Sequence, residues 1–289
     1  MGQKILITGA SGGFGQLTVK SLLDAGNQVV ASMRNINGKN KAIAEEMQNW
    51  GAKIVEIDVT NEASVQEGVA KSIELLGGLD VLINNAGVGT LGMVEHFTAE
   101  DFQKLFDINV FGVQRMNRAV LPYFRQQQNG LIIYISSLLG RITMPFYGAY
   151  NASKWALEAL AENYCLELSG FGVENCIVEP GGYPTTFMEN LLKPSDHSQV
   201  ASYGEFMNFP AQMLSGFEQA LHANPEQKPQ KVADTIVNLI ALKKGEKPFR
   251  TTVDSMGMGN FINPYNQQLE QIMQGLLGNF GIGGMLKVK

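Results

Sequence analysis

The chain has 289 residues, of which 45% are apolar and 17% charged, enough apolar material for a large buried core. Its formal net charge of −5, with Lys and Arg scattered, leaves no basic patch for nucleic acid or anionic lipid. Two cysteines (Cys165, Cys176) and three scattered histidines (His96, His197, His222) offer neither a disulfide framework nor zinc-site spacing, so no metal site is expected. Met1–Lys4 runs straight into the first apolar run, which leaves no room for a signal peptide. No apolar run reaches the ~18 residues that span a bilayer. A soluble, cytoplasmic protein is expected.

In chain order, strands are predicted at Lys4–Thr8, Gln28–Met33, Lys53–Ile57, Val81–Asn84, Gly130–Ser136 and Val173–Glu179, with a seventh near Phe249–Val253. Helical patterns lie between them at Phe14–Ala25, Lys39–Trp50, Glu62–Leu76, Ala99–Gln127 and Ala149–Gly170. Apolar strands alternating with helices predict an α/β fold: a doubly wound parallel sheet of about seven strands, covered on both faces. Ligands of such sheets bind beyond the carboxyl ends of the strands. After Pro180 the rhythm changes. Residues 181–228 form an apolar, proline-broken insert suited to a substrate lid. A helix near Lys231–Leu242 follows, then a Gly- and Met-rich extension over 256–289 with a helix near Pro264–Leu277. No polar linker divides the chain, so one domain over 1–289 is expected.

The first strand ends in Thr8-Gly9-Ala10-Ser11-Gly12-Gly13-Phe14-Gly15, and a helix begins at once. Glycines at 9, 13 and 15 let backbone N–H groups approach a pyrophosphate, and the positive end of the helix dipole faces the anion. That position, between strand one and helix one, is what a dinucleotide site requires. An NAD site usually offers a carboxylate at the end of strand two. Here the strand ends Ser32-Met33-Arg34, with a guanidinium able to pair with a 2′-phosphate, so NADP(H) is favoured over NAD(H).

Tyr150-Asn151-Ala152-Ser153-Lys154 opens a helix, and a spacing of four puts the phenol and the ammonium on one face. A neighbouring cation favours phenolate and brings the tyrosine toward useful proton exchange. Ser136-Ser137 ends a strand thirteen residues earlier, where a hydroxyl could hold a substrate carbonyl.

With these residues in place, the chain resembles the short-chain dehydrogenases/reductases (SDRs), in their one-domain, non-extended branch. The matching pieces are Thr8–Gly15, Asp58-Val59, Asn84-Asn85-Ala86-Gly87, Asn109, Ser137, Tyr150, Lys154, and Pro180-Gly181 with Thr185. The resemblance implies a catalytic set of Asn109, Ser137, Tyr150 and Lys154. It implies a cofactor groove built from Thr8, Gly9, Ser11, Gly13, Phe14, Gly15, Arg34, Asp58, Val59, Asn85, Ala86, Gly87, Tyr150, Lys154, Pro180, Gly181 and Thr185. Asp58 would hold the adenine amino group. Asn109 would bind a water through its main chain and extend a proton relay from Lys154. Thr185 would meet the nicotinamide carboxamide. Members that prefer NADP often carry a basic residue inside the glycine turn, and Ala10-Ser11-Gly12 has none. Asn84 and Asn85 as turn formers, and Asp58 as a helix cap before Glu62, are the plainer readings.

Hydride transfer with Tyr150 as proton donor and acceptor would interconvert a carbonyl and an alcohol. Substrate contacts are expected from Ser137, Leu139, Tyr147, Tyr150 and Tyr183. Wall candidates are Val88, Leu91, Leu138, Met144, Phe146, Phe187, Met188, Leu191, Leu192, Tyr203, Phe206, Met207, Phe209 and Met213. Few charges lie among them, which predicts a largely apolar substrate: steroid-like, retinoid-like, aromatic or long-chain. Family habit implies a homodimer or homotetramer. Two competing readings are a non-catalytic NADP(H) binder and an epimerase or dehydratase. The latter's usual G-x-x-G-x-x-G turn and larger C-terminal domain are both missing here.

Overall fold

Runs of Ile, Leu and Val make strands that are apolar on both faces, and such strands need cover on both sides. A computed structural model, which describes residues 2–289, assembles seven of them: β1 (Lys4–Ile7), β2 (Gln28–Met33), β3 (Lys53–Glu56), β4 (Val81–Asn84), β5 (Gly130–Ile135), β6 (Val173–Pro180) and β7 (Arg250–Val253). They form one parallel sheet in the order β3-β2-β1-β4-β5-β6-β7. The helices are α1 (Gly13–Asp24), α2 (Lys41–Asn49), α3 (Glu62–Leu76), α4 (Ala99–Phe106), α5 (Gly112–Gln127), α6 (Gly148–Leu168), α7 (Val200–Tyr203), α8 (Phe209–Ala223), α9 (Gln230–Ala241) and α10 (Gly259–Asn279).

Strand side chains alternate between two cores. Ile5, Ile7, Ala31 and Ile83 pack with Val19 and Leu22 of α1 and Val232 and Ile236 of α9. Leu6, Val30, Leu82 and Ile132 face the other way, onto Val65 and Val69 of α3, Val120 and Phe124 of α5 and Leu157 of α6. That two-sided cover makes the central strands rigid platforms for the loops at their ends. No helix among the described residues is long and apolar enough to cross a membrane.

Two predicted helices differ in outline. The stretch 99–127 is interrupted by a π-helical turn at Asp107–Phe111, which falls on Asn109. Such a turn widens the hydrogen-bond ladder locally and is frequent at functional sites. The last helix starts at Gly259, earlier than Pro264 suggested, because the Asp254 carboxylate accepts from the Gly259 N–H at 3.1 Å and anchors its first turn.

Candidate active site

The strand order reverses between β1 and β4, and a ligand crevice opens at such a switch point. The glycine turn after β1 and the Asn85–Gly87 segment after β4 meet there. Thr8 Oγ1 accepts from the Asn85 and Ala86 N–H groups at 3.1 and 3.0 Å. The Asn85 amide donates back to the Thr8 and Gly9 carbonyls at 2.9 and 3.0 Å. Asn84 turns inward, donating to Asn117 Oδ1 at 3.0 Å, so neither asparagine is merely a turn former.

The turn itself is shaped by missing side chains. Gly9 has φ of +63°, and a Cβ there would lie 2.7 Å from Ala86 Cα. A Cβ on Gly15 would lie 2.6 Å from the Gly9 carbonyl oxygen, and one on Gly13 would lie 2.8 Å from Thr185 Cβ. Helix α1 starts just after Gly12, which offers no side-chain cap, and this leaves its first N–H groups to an incoming anion. Ser11 sits in the same turn, its carbonyl held by Gln16 Nε2 at 2.7 Å. A cradle of bare backbone at a helix N-terminus fits a pyrophosphate.

Around it, Arg34 lies exposed just past β2, its carbonyl fixed by Asn40 Nδ2 at 2.6 Å. Glu56 pairs in register with Met33 and accepts from the Asn35 N–H at 3.1 Å, an acidic neighbour that the reading of strand two alone missed. Asp58 Oδ1 accepts from the Thr60 N–H and hydroxyl at 3.0 and 2.7 Å, while Asn61 caps α3 in its place. Val59 is buried and its carbonyl accepts from Arg115 at 3.0 Å.

Tyr150 and Lys154 share the inner face of α6 and are 7% and 5% exposed. Lys154 Nζ donates to the Ile135 carbonyl at 2.8 Å and stands 5.7 Å from the Tyr150 ring centre. Burial pulls Lys154 down to about 8, with Glu158 opposing. Burial pushes the Tyr150 phenol above its ordinary value, and the Ser137 hydroxyl opposes that rise. The chain's buried surroundings therefore favour the neutral phenol, and only added positive charge beside it would favour the phenolate. Asn109 Nδ2 donates to the Val88 carbonyl at 2.9 Å and to Ser153 Oγ at 3.1 Å, while its Oδ1 accepts from the Val88 N–H at 2.9 Å. It thereby ties the β4 loop to α6, beside the tyrosine and lysine.

Ser137 and Tyr150 open into a cavity of 340 Å³. Of the expected substrate contacts, Leu139, Tyr147 and Tyr183 line it too, as do Phe14, Pro180, Gly181 and Thr185. Leu138, Met144, Phe187, Met188 and Met213 are brought there as predicted, and the Phe187 ring meets the Tyr150 ring edge-on at 5.7 Å.

Other wall candidates do not line this cavity. Val88 and Leu192 pack into a small core with Phe97 and Leu105, and Leu191 lies over Gly89. Tyr203, Phe206 and Phe209 stack on one another outside it, with Phe146 joining Phe206. Leu91 and Met207 are likewise outside the lining. Phe217, Asp254, Met256 and Met258 were missed. The sequence signal for the last three was their place just past the carboxyl end of β7, on the side where ligands of this fold bind.

A family model described as short chain dehydrogenase matches residues 3–196. The 3-ketodihydrosphingosine reductase of Bacteroides thetaiotaomicron is 36% identical over 253 residues, covering 87% of each chain. Human retinol dehydrogenase 8 is 33% identical over 249 residues, covering 82% of this chain and 77% of that protein. Among solved structures, a short chain dehydrogenase/reductase from Burkholderia phymatum in complex with NAD matches with a TM-score of 0.74 at 25% identity, over 93% of this chain and 95% of that one.

Proposed function

Because the chain belongs to the short-chain dehydrogenase/reductase family, we propose that it is an NADP(H)-dependent oxidoreductase interconverting a carbonyl and an alcohol on a largely apolar substrate. The observation that carries this reading is the shared cavity: Tyr150 and Ser137 line one apolar chamber with their hydroxyls close to each other, and Lys154 is buried beside them. Among the lining residues only Asp254 is charged, and both its oxygens already accept hydrogen bonds, from Gln227 and from the Gly259 N–H. Two relatives are named for 3-ketodihydrosphingosine and for retinol, both with long apolar chains, and this supports the same substrate class.

The dinucleotide, when bound, supplies or takes up the hydride. The backbone of Gly9–Gly15, with Thr8, Ser11 and Phe14, would hold its pyrophosphate, Asp58 and Val59 its adenine, and Asn85–Gly87 its groove. Pro180–Gly181, Thr185 and Lys154 would line its nicotinamide end. Ser137 holds the carbonyl oxygen, Tyr150 gives that oxygen a proton or takes one from the alcohol, and Lys154 supplies the positive charge that makes the phenol exchangeable. Asn109, in its π-helical turn, extends the relay from Lys154. Leu139, Tyr147 and Tyr183 form the apolar wall. The exposed apolar side chains of Phe261 and Ile272 on α10 and of Phe280 just past its end support assembly into a homo-oligomer.

NADPH or NADH with a panel of apolar ketones and aldehydes tests this. NADPH is consumed with at least one of them; no turnover with any member of the panel contradicts the assignment. Arg34 carries the cofactor preference, with Glu56 as the acidic neighbour it must outweigh. Arg34→Ala removes charge-assisted bonds to a 2′-phosphate, each about 1.5–3 kcal/mol. NADPH affinity then falls roughly 10- to 100-fold while NADH affinity holds. Equal effects on the two cofactors would move Arg34 out of the site.

A further inference from the structure

Behind the catalytic face lies a set of buried charges that hydride and proton transfer do not use. Glu158 sits on α6 one turn beyond Lys154 and is 1% exposed; Glu179, just before Pro180-Gly181, is 0% exposed. Arg141, four residues past Ser137, donates to Glu158 Oε2 at 2.6 Å and to Glu179 Oε1 at 3.2 Å. Arg250 of β7 donates to the same Glu158 oxygen at 3.2 Å and pairs with Glu162. Asn266 of α10 donates to Glu179 Oε2 at 2.7 Å. The cluster thus joins the segments that carry Ser137, Tyr150 with Lys154, and Gly181.

Its charges do not balance internally. Glu158, Glu162 and Glu179 face two guanidiniums, and uncompensated charge in a buried site is costly. The missing positive charge is one helical turn away, at Lys154. Glu158 supports that ammonium against the burial that opposes it. Burial and the Glu158 charge in turn push the Glu179 carboxyl well above the usual carboxylate range. Burial thus works against the charged forms of both Lys154 and Glu179.

Two orphaned atoms mark the contact between cluster and site. Ser136 Oγ and Glu158 Oε1 are both buried without a hydrogen-bond partner. They flank Gly140, 2.9 and 3.3 Å from where its Cβ would stand, so the glycine keeps the space between them open. Glu158 thereby faces the strand end that carries both Ser137 and the Ile135 carbonyl on which Lys154 is anchored.

We propose that Glu158, backed by Glu179, is the counter-ion of Lys154: a positioning residue that sets the charge on the lysine, and through it the proton handled by Tyr150, without touching substrate or cofactor. This rests on the catalytic assignment of Lys154. The charged groups around Glu158 are Arg141 in the loop after β5, Arg250 on β7 and Glu179 on β6, with Lys154 and Glu162 one turn to either side of it on α6. Cys165, close enough to feel Arg250, is held up at about 11 by burial and stays a neutral thiol.

The test is a proton titration of Lys154 in the full chain, followed by the NMR signal of its ε-carbon and assigned by its loss in Lys154→Met. It needs no substrate, so it stands or falls apart from the catalytic reading. In Glu158→Gln the midpoint falls by about one pH unit, and the alkaline limb of kcat moves with it while KM holds. Glu162→Gln, on a partly exposed carboxylate, moves the midpoint less. A folded Glu158→Gln protein with lower Tm and an unmoved Lys154 midpoint overturns the proposal. Should that variant not fold, Glu179→Gln serves: a downward shift supports the counter-ion role, and an unmoved midpoint overturns it. A Lys154 midpoint that shifts while the kcat limb stays put would retain the counter-ion and reject the catalytic assignment of the lysine.

Discussion

Tyr150→Phe lowers kcat by about 10²- to 10⁴-fold, the usual contribution of a positioned general acid or base. The ring stays where it is, since it packs edge-on against Phe187 and is almost wholly buried. Only the hydroxyl beside Ser137 is lost. NADPH affinity and Tm therefore stay near wild-type values while turnover collapses. Stopped-flow consumption of NADPH with a reactive ketone, together with a fluorescence titration of the cofactor, separates the two effects. Turnover equal to wild type would mean that another group handles the proton.

Gly9→Ala produces the second large effect, on cofactor binding. At φ of +63° an L-residue carries about 1–2 kcal/mol of backbone strain. The new methyl group would also stand 2.7 Å from Ala86 Cα, a backbone atom that cannot rotate away. Either β1 and β4 move apart at their ends or the turn rearranges, and both dismantle the Thr8–Asn85 clamp. The expected outcome is a Tm lower by roughly 5 °C and NADPH affinity weakened at least tenfold. Gly26→Ala, whose Cβ would meet nothing within 4 Å although its φ is +81°, serves as the control for strain alone. Equal NADPH affinity in Gly9→Ala and wild type would remove the pyrophosphate from this turn.

The strands were legible because burial on both faces forces continuous apolar runs, and the glycine turn because a pyrophosphate cradle excludes side chains from a short contiguous stretch. Tyr150 and Lys154 were legible because helical geometry translates a spacing of four directly into a shared face. What stayed hidden depends on contacts between distant segments. The π-helical turn at Asn109 has no periodic signature; it shows only where the fold ties Asn109 to the Val88 backbone and to Ser153 of α6. Met256 and Met258 reach the cavity because Asp254 anchors the start of α10 beside Gly181, a contact across more than seventy positions of chain. Apolar character alone could not separate Met213, which lines the cavity, from Phe209 a turn earlier, which does not. The Glu158–Arg141–Glu179–Arg250 cluster was equally invisible, since its members lie on α6, in the loop after β5, on β6 and on β7, and only the tertiary fold brings them together.

In the proposed mechanism the Tyr150 phenol is ionised by positive charge gathered around it, against the burial that raises it. The most direct test of that mechanism is the ultraviolet phenolate difference spectrum of wild type minus Tyr150→Phe, followed against pH with and without saturating NADP+. NADP+, positive at its nicotinamide, is expected to bring the phenolate signal down in pH by at least one unit, and Lys154→Met to raise the titration both with and without NADP+. A titration of Tyr150 that is the same with and without NADP+ would contradict it.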